Sequence, residues 1–159
     1  MQPHTLADVV RAHPFAEGLK ESHIQKLTEV ALEVQFGRDQ VIFRQGDQSG
    51  LFYLILSGKV ALEASGPGRI VRVQTLGEGD QLGWSSLLVE GGKHFQARTL
   101  EPVRALALDG ARLRQVCEQD PAFGYQIMLK LLKIVAGRLQ ATRVQLLDLY
   151  APHGGAKLV

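Results

Sequence analysis

The chain has 159 residues, enough for one domain with a hydrophobic core, and its 45% hydrophobic and 21% charged residues are typical of a globular protein. Its 18 basic and 16 acidic residues give a net charge of +2, which favours neither nucleic acid nor a membrane surface as a partner. One cysteine, Cys117, excludes an internal disulfide, and no apolar run reaches the roughly 20 residues that span a bilayer. With no leader pattern at Met1, we expect a cytoplasmic protein.

The first thirty residues have the pattern of two short helices. Thr5 is a suitable N-cap for a helix with Leu6 and Val9 on its apolar face, and Pro14 ends that helix. Ser22 is the predicted N-cap of the second helix, whose apolar residues also recur at helical spacing.

From about Leu32 the pattern changes to short apolar runs separated by Gly, Asp and Ser. Such runs are typical of strands joined by tight turns. Many short strands in succession predict a mainly β fold, a compact barrel or roll, with helices flanking it. The predicted strands cover residues 32–36, 41–43, 51–56, 59–64, 70–76, 94–100 and 103–108.

The pattern becomes helical again after the last predicted strand. Asp109 is a candidate N-cap, and Asp120-Pro121 opens a new helix with proline in the first turn, where its missing N–H costs nothing. This long helix is predicted over residues 121–150, about 45 Å at 1.5 Å per residue. Residues 1–150 therefore form a single predicted domain, and residues 151–159 a flexible tail.

The long helix has an apolar seam with residues spaced alternately three and four apart, which predicts a parallel homodimer. A second stripe that includes Ile127 and Leu131 can pack on the helix's own domain; the alternative is a helix wholly buried within that domain. Thr142 is the polar member of the seam, and its hydroxyl either bonds back to its own helix or faces a ligand. The predicted interface residues are Tyr125, Met128, Leu132, Val135, Leu139, Thr142, Leu146 and Leu149.

Residues 79–88 and 93–98 indicate an anion-binding site. Gly83 lacks a side chain that would block close approach, the serines that follow begin a short helical turn, and cationic residues come after. The five histidines show no metal-ligand spacing, so no metal is expected. No arrangement of nucleophile and base, and no paired carboxylates, stand out, so we expect no enzyme.

Four segments together resemble the cyclic-nucleotide-binding domain of the catabolite-activator and cAMP-receptor-like family. They are VIFRQGD at 41–47, FYLILSGKV at 52–60, GDQLG at 79–83 and RLQAT at 138–142. The resemblance covers roughly residues 15–150. It implies a double-stranded β-helix, a jelly-roll-like β roll, with N-terminal helices and a long C-terminal dimerisation helix. It also implies cAMP or cGMP as a ligand, and no other cofactor.

The resemblance implies a phosphate-binding cassette after the second glycine. In that family a glutamate holds the ribose hydroxyl, an arginine pairs with the cyclic phosphate and a threonine of the long helix contacts the base. Here Trp84 stands in place of the glutamate, and Lys93 or His94 in place of the arginine, while Thr142 matches the threonine. The implied ligand-binding residues are Leu82, Gly83, Trp84, Ser85, Ser86, Leu87, Lys93, His94 and Thr142.

Trp84 leaves three interpretations open, one of which is an exposed ring or one that faces a partner. In the other two, its ring either fills the mouth of the pocket, together with Phe95, or offers a face on which a planar ligand stacks. Arg98 is expected to form a structural or intersubunit ion pair.

Two functions follow from these patterns. The first is a stand-alone, non-enzymatic sensor that binds a cyclic nucleotide or another phosphorylated small molecule and signals through the dimerising helix. The second is a ligand-free interaction module or an accessory subunit of a larger enzyme complex, such as a redox complex. The nine residues after Tyr150 leave no room for a helix-turn-helix, so we expect no sequence-specific DNA binding by this chain alone.

Overall fold

Two antiparallel four-stranded sheets lie at the centre of the computed structural model, which describes residues 4–48, 50–87, 93 and 95–150. Residues outside these ranges include His94 and the predicted tail at 151–159. The strands are β1 (Ala31–Phe36), β2 (Val41–Phe43), β3 (Leu51–Ser57), β4 (Val60–Gly66), β5 (Arg69–Leu76), β6 (Gln81–Leu82), β7 (Gln96–Thr99) and β8 (Val103–Asp109).

The two sheets exchange strands along the chain. The first has the order β1-β8-β3-β6 and the second β2-β7-β4-β5, so among the described strands only β4 and β5 pair as sequence neighbours. In the first sheet Leu54 lies opposite Leu106, and in the second Leu62 lies opposite Ala97. This topology is the expected β roll, and the prediction of a mainly β fold with flanking helices is confirmed.

The alternation of side chains along β3 and β8 divides the core in two. Successive residues of a strand point to opposite faces of the sheet. Phe52 and Leu54 therefore join the cluster under the helices, whereas Tyr53 and Ile55 join the cluster between the sheets. The first sheet is buried on both faces along β3, which explains its uninterrupted apolar sequence.

The N-terminal helices begin at residues whose side chain or carbonyl accepts hydrogen bonds from the first helical turn. Thr5 caps α1 (Leu6–Ala12), which confirms the predicted N-cap. Asp8 completes a reciprocal capping box with Thr5, and this second bond was not predicted. After a 3-10 turn at Pro14–Ala16, helix α2 spans Glu21–Glu29. The predicted cap at Ser22 is wrong: the carbonyl of Lys20 already accepts from the next turn, so Ser22 lies inside the helix.

The C-terminal helices follow β8 directly. Asp109 caps α3 (Gly110–Gln119), and Asp120 accepts from the amide of Phe123 at the start of α4 (Pro121–Tyr150). Ile127 is fully buried and Leu131 is 8% exposed, so this stripe packs on the roll as predicted. The wholly buried alternative is wrong for the described chain, since the other face of α4 is exposed.

The predicted strands match the observed ranges within two residues, and one observed strand was not predicted. Strand β6 was not predicted, because two residues are too few to show an alternating pattern. Strand β7 covers only Gln96–Thr99 of the predicted 94–100. Among the described residues, none of the helices is both long and apolar enough to cross a membrane.

Candidate ligand-binding site

A tight turn after β6 forms the centre of the candidate site. Leu82 is buried, Gly83 has a φ of +83°, and a 3-10 helix then spans Trp84–Leu87. The amide of Ser86 donates to the carbonyl of Gly83 over 3.0 Å, which closes the turn. The glycine is required because its φ lies in the left-handed region, where side chains are disfavoured.

The same glycine also leaves space for a lysine. A Cβ at position 83 would lie 2.7 Å from the Leu51 carbonyl oxygen and 3.1 Å from Nζ of Lys93. The turn and Lys93 therefore approach one another as closely as they do only because position 83 has no side chain.

Lys93 is almost completely buried, with 4% of its surface exposed. Its Nζ donates to the carbonyl oxygens of Gly83 (3.1 Å) and Leu51 (3.3 Å), and it lies 5.0 Å from the centre of the Phe43 ring. Burial lowers the pKa of Lys93 to about 8, because removing an ammonium group from water disfavours its charged form. The main chain of Lys93 is held by hydrogen bonds with Gly46 and Asp47.

A small cavity lies beside this lysine. Its volume is about 20 Å³, which is room for little more than one water molecule. Trp84 and Phe95 both line it; Trp84 packs against the core under the helices and Phe95 against the core between the sheets. The lining residues are Phe43, Leu62, Gly83, Trp84, Ser85, Lys93, Phe95 and Arg138.

Arg138 brings a second cation to the cavity from α4. Its guanidinium donates to the carbonyl of Gln81 in β6. Burial lowers the pKa of Arg138 to about 10, an effect that the negative charge of Asp80 opposes. The sequence-based site prediction did not include Arg138. Its position one helical turn before Thr142 was a usable signal, since residues four apart share a helix face.

The remaining predicted ligand residues are placed in different surroundings. Ser85 is buried and lines the cavity, whereas Leu87 lies in the core under the helices. The buried hydroxyl of Ser86 has no hydrogen-bond partner among the described residues, and it faces Gly110. A Cβ at Gly110 would lie 2.9 Å from that hydroxyl, so Ser86 serves the contact between this turn and α3.

Thr142 does not line the cavity within the single chain. Its exposed hydroxyl donates to the carbonyl of Arg138 over 2.9 Å, which is the back-bonding alternative of the sequence analysis. The prediction for His94 falls outside the described residues.

Two further charged side chains make defined contacts within the chain. Arg98 forms ion pairs within the chain, with Glu63 at 2.9 Å and Asp39 at 2.6 Å, which confirms its structural role. Asp80 is a turn residue whose carboxylate accepts from the amide of Gly77 over 2.8 Å. Within the described ranges, no group of three or more His, Cys, Asp or Glu is placed to hold a metal ion.

The turn, the roll around it and the helix that contributes Arg138 define the class of this protein. The family model of the cyclic nucleotide-binding domain matches residues 33–120, and the chain belongs to that family. The family is a regulatory ligand-binding domain, for which cyclic nucleotides are the ligands.

Particular relatives agree with this assignment. The chain is 32% identical over 134 residues to a CRP-like cAMP-activated global transcriptional regulator of Mycobacterium tuberculosis. That alignment covers 84% of this chain and 58% of the regulator. The chain therefore spans little more than half the length of this curated relative.

Solved structures show the same fold. The catabolite activator protein of Thermus thermophilus superposes with a TM-score of 0.71 at 27% identity, covering 86% of this chain and 62% of that one. The N-terminal domain of a transcriptional regulator from Streptomyces coelicolor gives 0.66 at 26% identity, covering 93% of this chain and all of that one.

Proposed function

We propose that this chain is a non-enzymatic sensor domain whose cavity beside Gly83 binds a cyclic nucleotide or another phosphorylated small molecule. The observation that supports this proposal is that two cationic side chains, Lys93 and Arg138, line the same cavity. Neither cation is matched by a carboxylate among the described lining residues.

The physical argument concerns the cost of burying charge. Removing a cation from water is unfavourable unless an opposite charge or several hydrogen bonds replace the water. Lys93 has two carbonyl oxygens and Arg138 has one, and the pKa of each is still lowered by burial. An anion in the cavity would offset this cost for both side chains at once.

Arg138 also provides a route from the ligand to the long helix. It lies on α4 and reaches across to β6, so an anion that draws its guanidinium away from the Gln81 carbonyl would change how α4 sits on the roll. In this proposal the signal is the altered position of α4 on the roll. A second copy or a partner protein that contacts the exposed seam would respond to it.

A second candidate function is a ligand-free interaction module, including an accessory subunit of a larger enzyme complex. The size of the cavity favours it, since 20 Å³ is far below the roughly 300 Å³ or more of common small-molecule sites. The carbonyl bonds of Lys93 favour it as well, because they satisfy the lysine without a ligand.

Thermal denaturation in the presence of cAMP, cGMP, linear nucleotides and phosphate distinguishes the two candidates. A ligand that binds the folded state raises the melting temperature by mass action, by an amount that grows with ligand concentration. We expect a saturable rise with at least one phosphorylated compound and none with adenosine. No rise with any compound at millimolar concentration would favour the ligand-free module.

A further inference from the structure

The charge and the size of the cavity beside Gly83 together limit the kind of anion that fits it. Two cations line it, Lys93 at the side of the turn and Arg138 from α4. Asp80 acts on Arg138 through its charge but does not line the cavity. Among the described lining residues no side chain is acidic, so two positive charges face one small space.

A monoanion leaves one of these charges without a counterion. A cyclic nucleotide is a phosphodiester, which has a single negative charge at neutral pH. A phosphomonoester has a charge of about −1.5 to −2 at pH 7 and three acceptor oxygens, so it can serve both cations. Charge-assisted bonds of this kind are about twice as strong as neutral ones.

Size gives an independent argument. A nucleoside needs several hundred Å³, so the 20 Å³ cavity would have to expand more than tenfold. Trp84 and Phe95, each partly buried against a different core cluster, would both have to move. A phosphate group alone is much smaller than a nucleoside and needs a correspondingly smaller expansion. Arg138, which would have to give way to it, is held here by a carbonyl of β6 rather than by a carboxylate.

No carboxylate that could accept from a ribose lies among the described lining residues, and the hydroxyl of Ser85 is the remaining side-chain acceptor there. Trp84 occupies the turn, and an indole has an N–H donor but no acceptor. The described polar side chains around the cavity are thus two cations, one hydroxyl and an indole N–H, a set better suited to a phosphate than to a sugar.

We propose that the cavity binds a compact phosphate dianion, the group of a phosphomonoester, in preference to the monoanionic diester of a cyclic nucleotide. This inference rests on the proposed function of the cavity as an anion site. The phosphate lies between Lys93 and Arg138, and the rest of the ligand extends past Trp84 toward solvent.

Calorimetric titration of the full chain with 5′-AMP, cAMP and inorganic phosphate tests this assignment. At pH 7.5 we expect 5′-AMP to bind at least tenfold more tightly than cAMP, and inorganic phosphate to compete with it. Failure of inorganic phosphate to compete would overturn the assignment to the phosphate group.

The pH dependence provides a second readout. The affinity for 5′-AMP should rise between about pH 5 and 7, because the second proton of a phosphomonoester has a pKa of about 6. It should fall above about pH 8, where Lys93 loses its proton. Arg138 is the other charged group that lines the cavity among the described residues, and with a pKa of about 10 it stays charged throughout. A diester has no second proton, so cAMP should show no rise.

Matched variants identify the groups responsible. Arg138→Gln and Lys93→Met should each weaken 5′-AMP binding at least tenfold, whereas Arg143→Gln and Lys59→Met, which remove one exposed cation each, should leave it unchanged. If Lys93→Met does not fold, Arg138→Gln alone tests whether the cations of the cavity bind the phosphate, because Arg138 is only half-buried and its replacement leaves the core intact.

Two results would contradict the inference in distinguishable ways. Binding of cAMP as tightly as 5′-AMP, with the same pH profile, would overturn the preference for a dianion and leave the proposed sensor function standing. Binding of no phosphorylated compound at all would overturn both.

Discussion

Single residues decide the chemistry of the candidate site. The family resemblance aligns Trp84 with a ribose-binding glutamate, and Trp84 lines the 20 Å³ cavity. The same resemblance aligns Lys93 or His94 with the phosphate-binding arginine, and the ammonium group of Lys93 donates to two carbonyl oxygens of the protein. We therefore expect these two positions to influence the affinity for each class of ligand.

Restoring the family's ribose and phosphate contacts should restore cyclic-nucleotide binding. We expect cAMP to bind the wild-type chain in about the tens of micromolar or more weakly, on the scale where 1.4 kcal/mol is tenfold. Trp84→Glu combined with Lys93→Arg, and separately with His94→Arg, should tighten cAMP binding at least tenfold, because a carboxylate accepts from ribose and a guanidinium forms two parallel bonds to phosphate. Calorimetry measures both.

The matched control is Trp84→Phe, which keeps an aromatic ring and adds no acceptor; it should not tighten cAMP binding. A nanomolar affinity of the wild-type chain for cAMP would contradict the prediction, since it would require contacts that Trp84 cannot make.

The buried Lys93 should also make the free energy of unfolding depend on pH. Its pKa is lowered to about 8 in the folded chain from an ordinary 10.5, so the unfolded chain binds more protons between these values. The free energy of unfolding contributed by this group therefore rises with pH from about 8 to 10.5. Urea unfolding of wild type and Lys93→Met at pH 7, 8, 9 and 10 should show the variant's relative stability falling over that range.

Comparison with Lys59→Met separates burial from the loss of a charge, because Lys59 is exposed. Its stability relative to wild type should not change between pH 7 and 10. A pH-independent difference for Lys93→Met would show that Lys93 titrates normally.

Among the secondary-structure elements, strands β7 and β4 of the second sheet are joined by the ion pair of one arginine, which also reaches the turn before β2. Arg98 of β7 donates to Glu63 of β4 through two nitrogens, at 3.1 and 2.9 Å, and also pairs with Asp39. Glu63 is only 7% exposed, and its hydrogen bonds with Arg98 hold the pKa of its carboxyl below the ordinary value. A neighbouring strand thus supplies the charge that makes a buried carboxylate tolerable.

Removing that arginine should destabilise the fold. Arg98→Met leaves Glu63 buried without its main partner, and we expect a loss of about 2 kcal/mol, below the roughly 3–5 kcal/mol for fully buried pairs because the Arg98 side chain is 30% exposed. Because the folded pKa of Glu63 is lowered, its contribution is present above the ordinary value of 4.5 and lost as pH falls below it. Urea unfolding at pH 7 and 4 measures both effects.

The double variant Arg98→Met with Glu63→Met controls for packing. It should recover part of the lost stability, since no charge is then left unpaired. Equal losses in the single and double variants would show that Arg98 acts through its aliphatic stem.

At the scale of the whole molecule, the long helix leaves one face uncovered. Tyr125, Leu132, Leu139 and Leu149 are between 64% and 72% exposed, whereas Ile127 on the opposite face is fully buried. A second copy that covers this seam is the homodimer that the spacing predicts, and it remains a prediction.

Charges on the seam should separate such a dimer without harming the monomer. Leu139→Glu with Leu146→Glu would place like charges across a parallel interface, and both positions are exposed, at 69% and 51%, so the core is untouched. Sedimentation should then show a monomer with unchanged circular dichroism. A dimer that persists in the double variant would place the contact elsewhere.

The class of fold and most element boundaries could be predicted from the sequence, because they depend on local periodicity, turn residues and caps. Thr5, Asp109 and Pro121 mark helix starts through interactions with near neighbours, and these positions agree with the structure. The predicted cap at Ser22 was wrong because the observed N-cap, Lys20, makes no side-chain capping bond and so leaves no pattern in the sequence, and β6 was missed because two residues have no period.

The composition of the candidate site was decided by tertiary structure alone. Gly83 could be recognised from its turn, but the contact of Lys93 with the Leu51 carbonyl joins residues 42 positions apart. Arg138 reaches the carbonyl of Gln81 across 57 positions. Such contacts have no local pattern, because they depend on how two sheets and a helix pack, and it is this packing that places two cations at one small cavity.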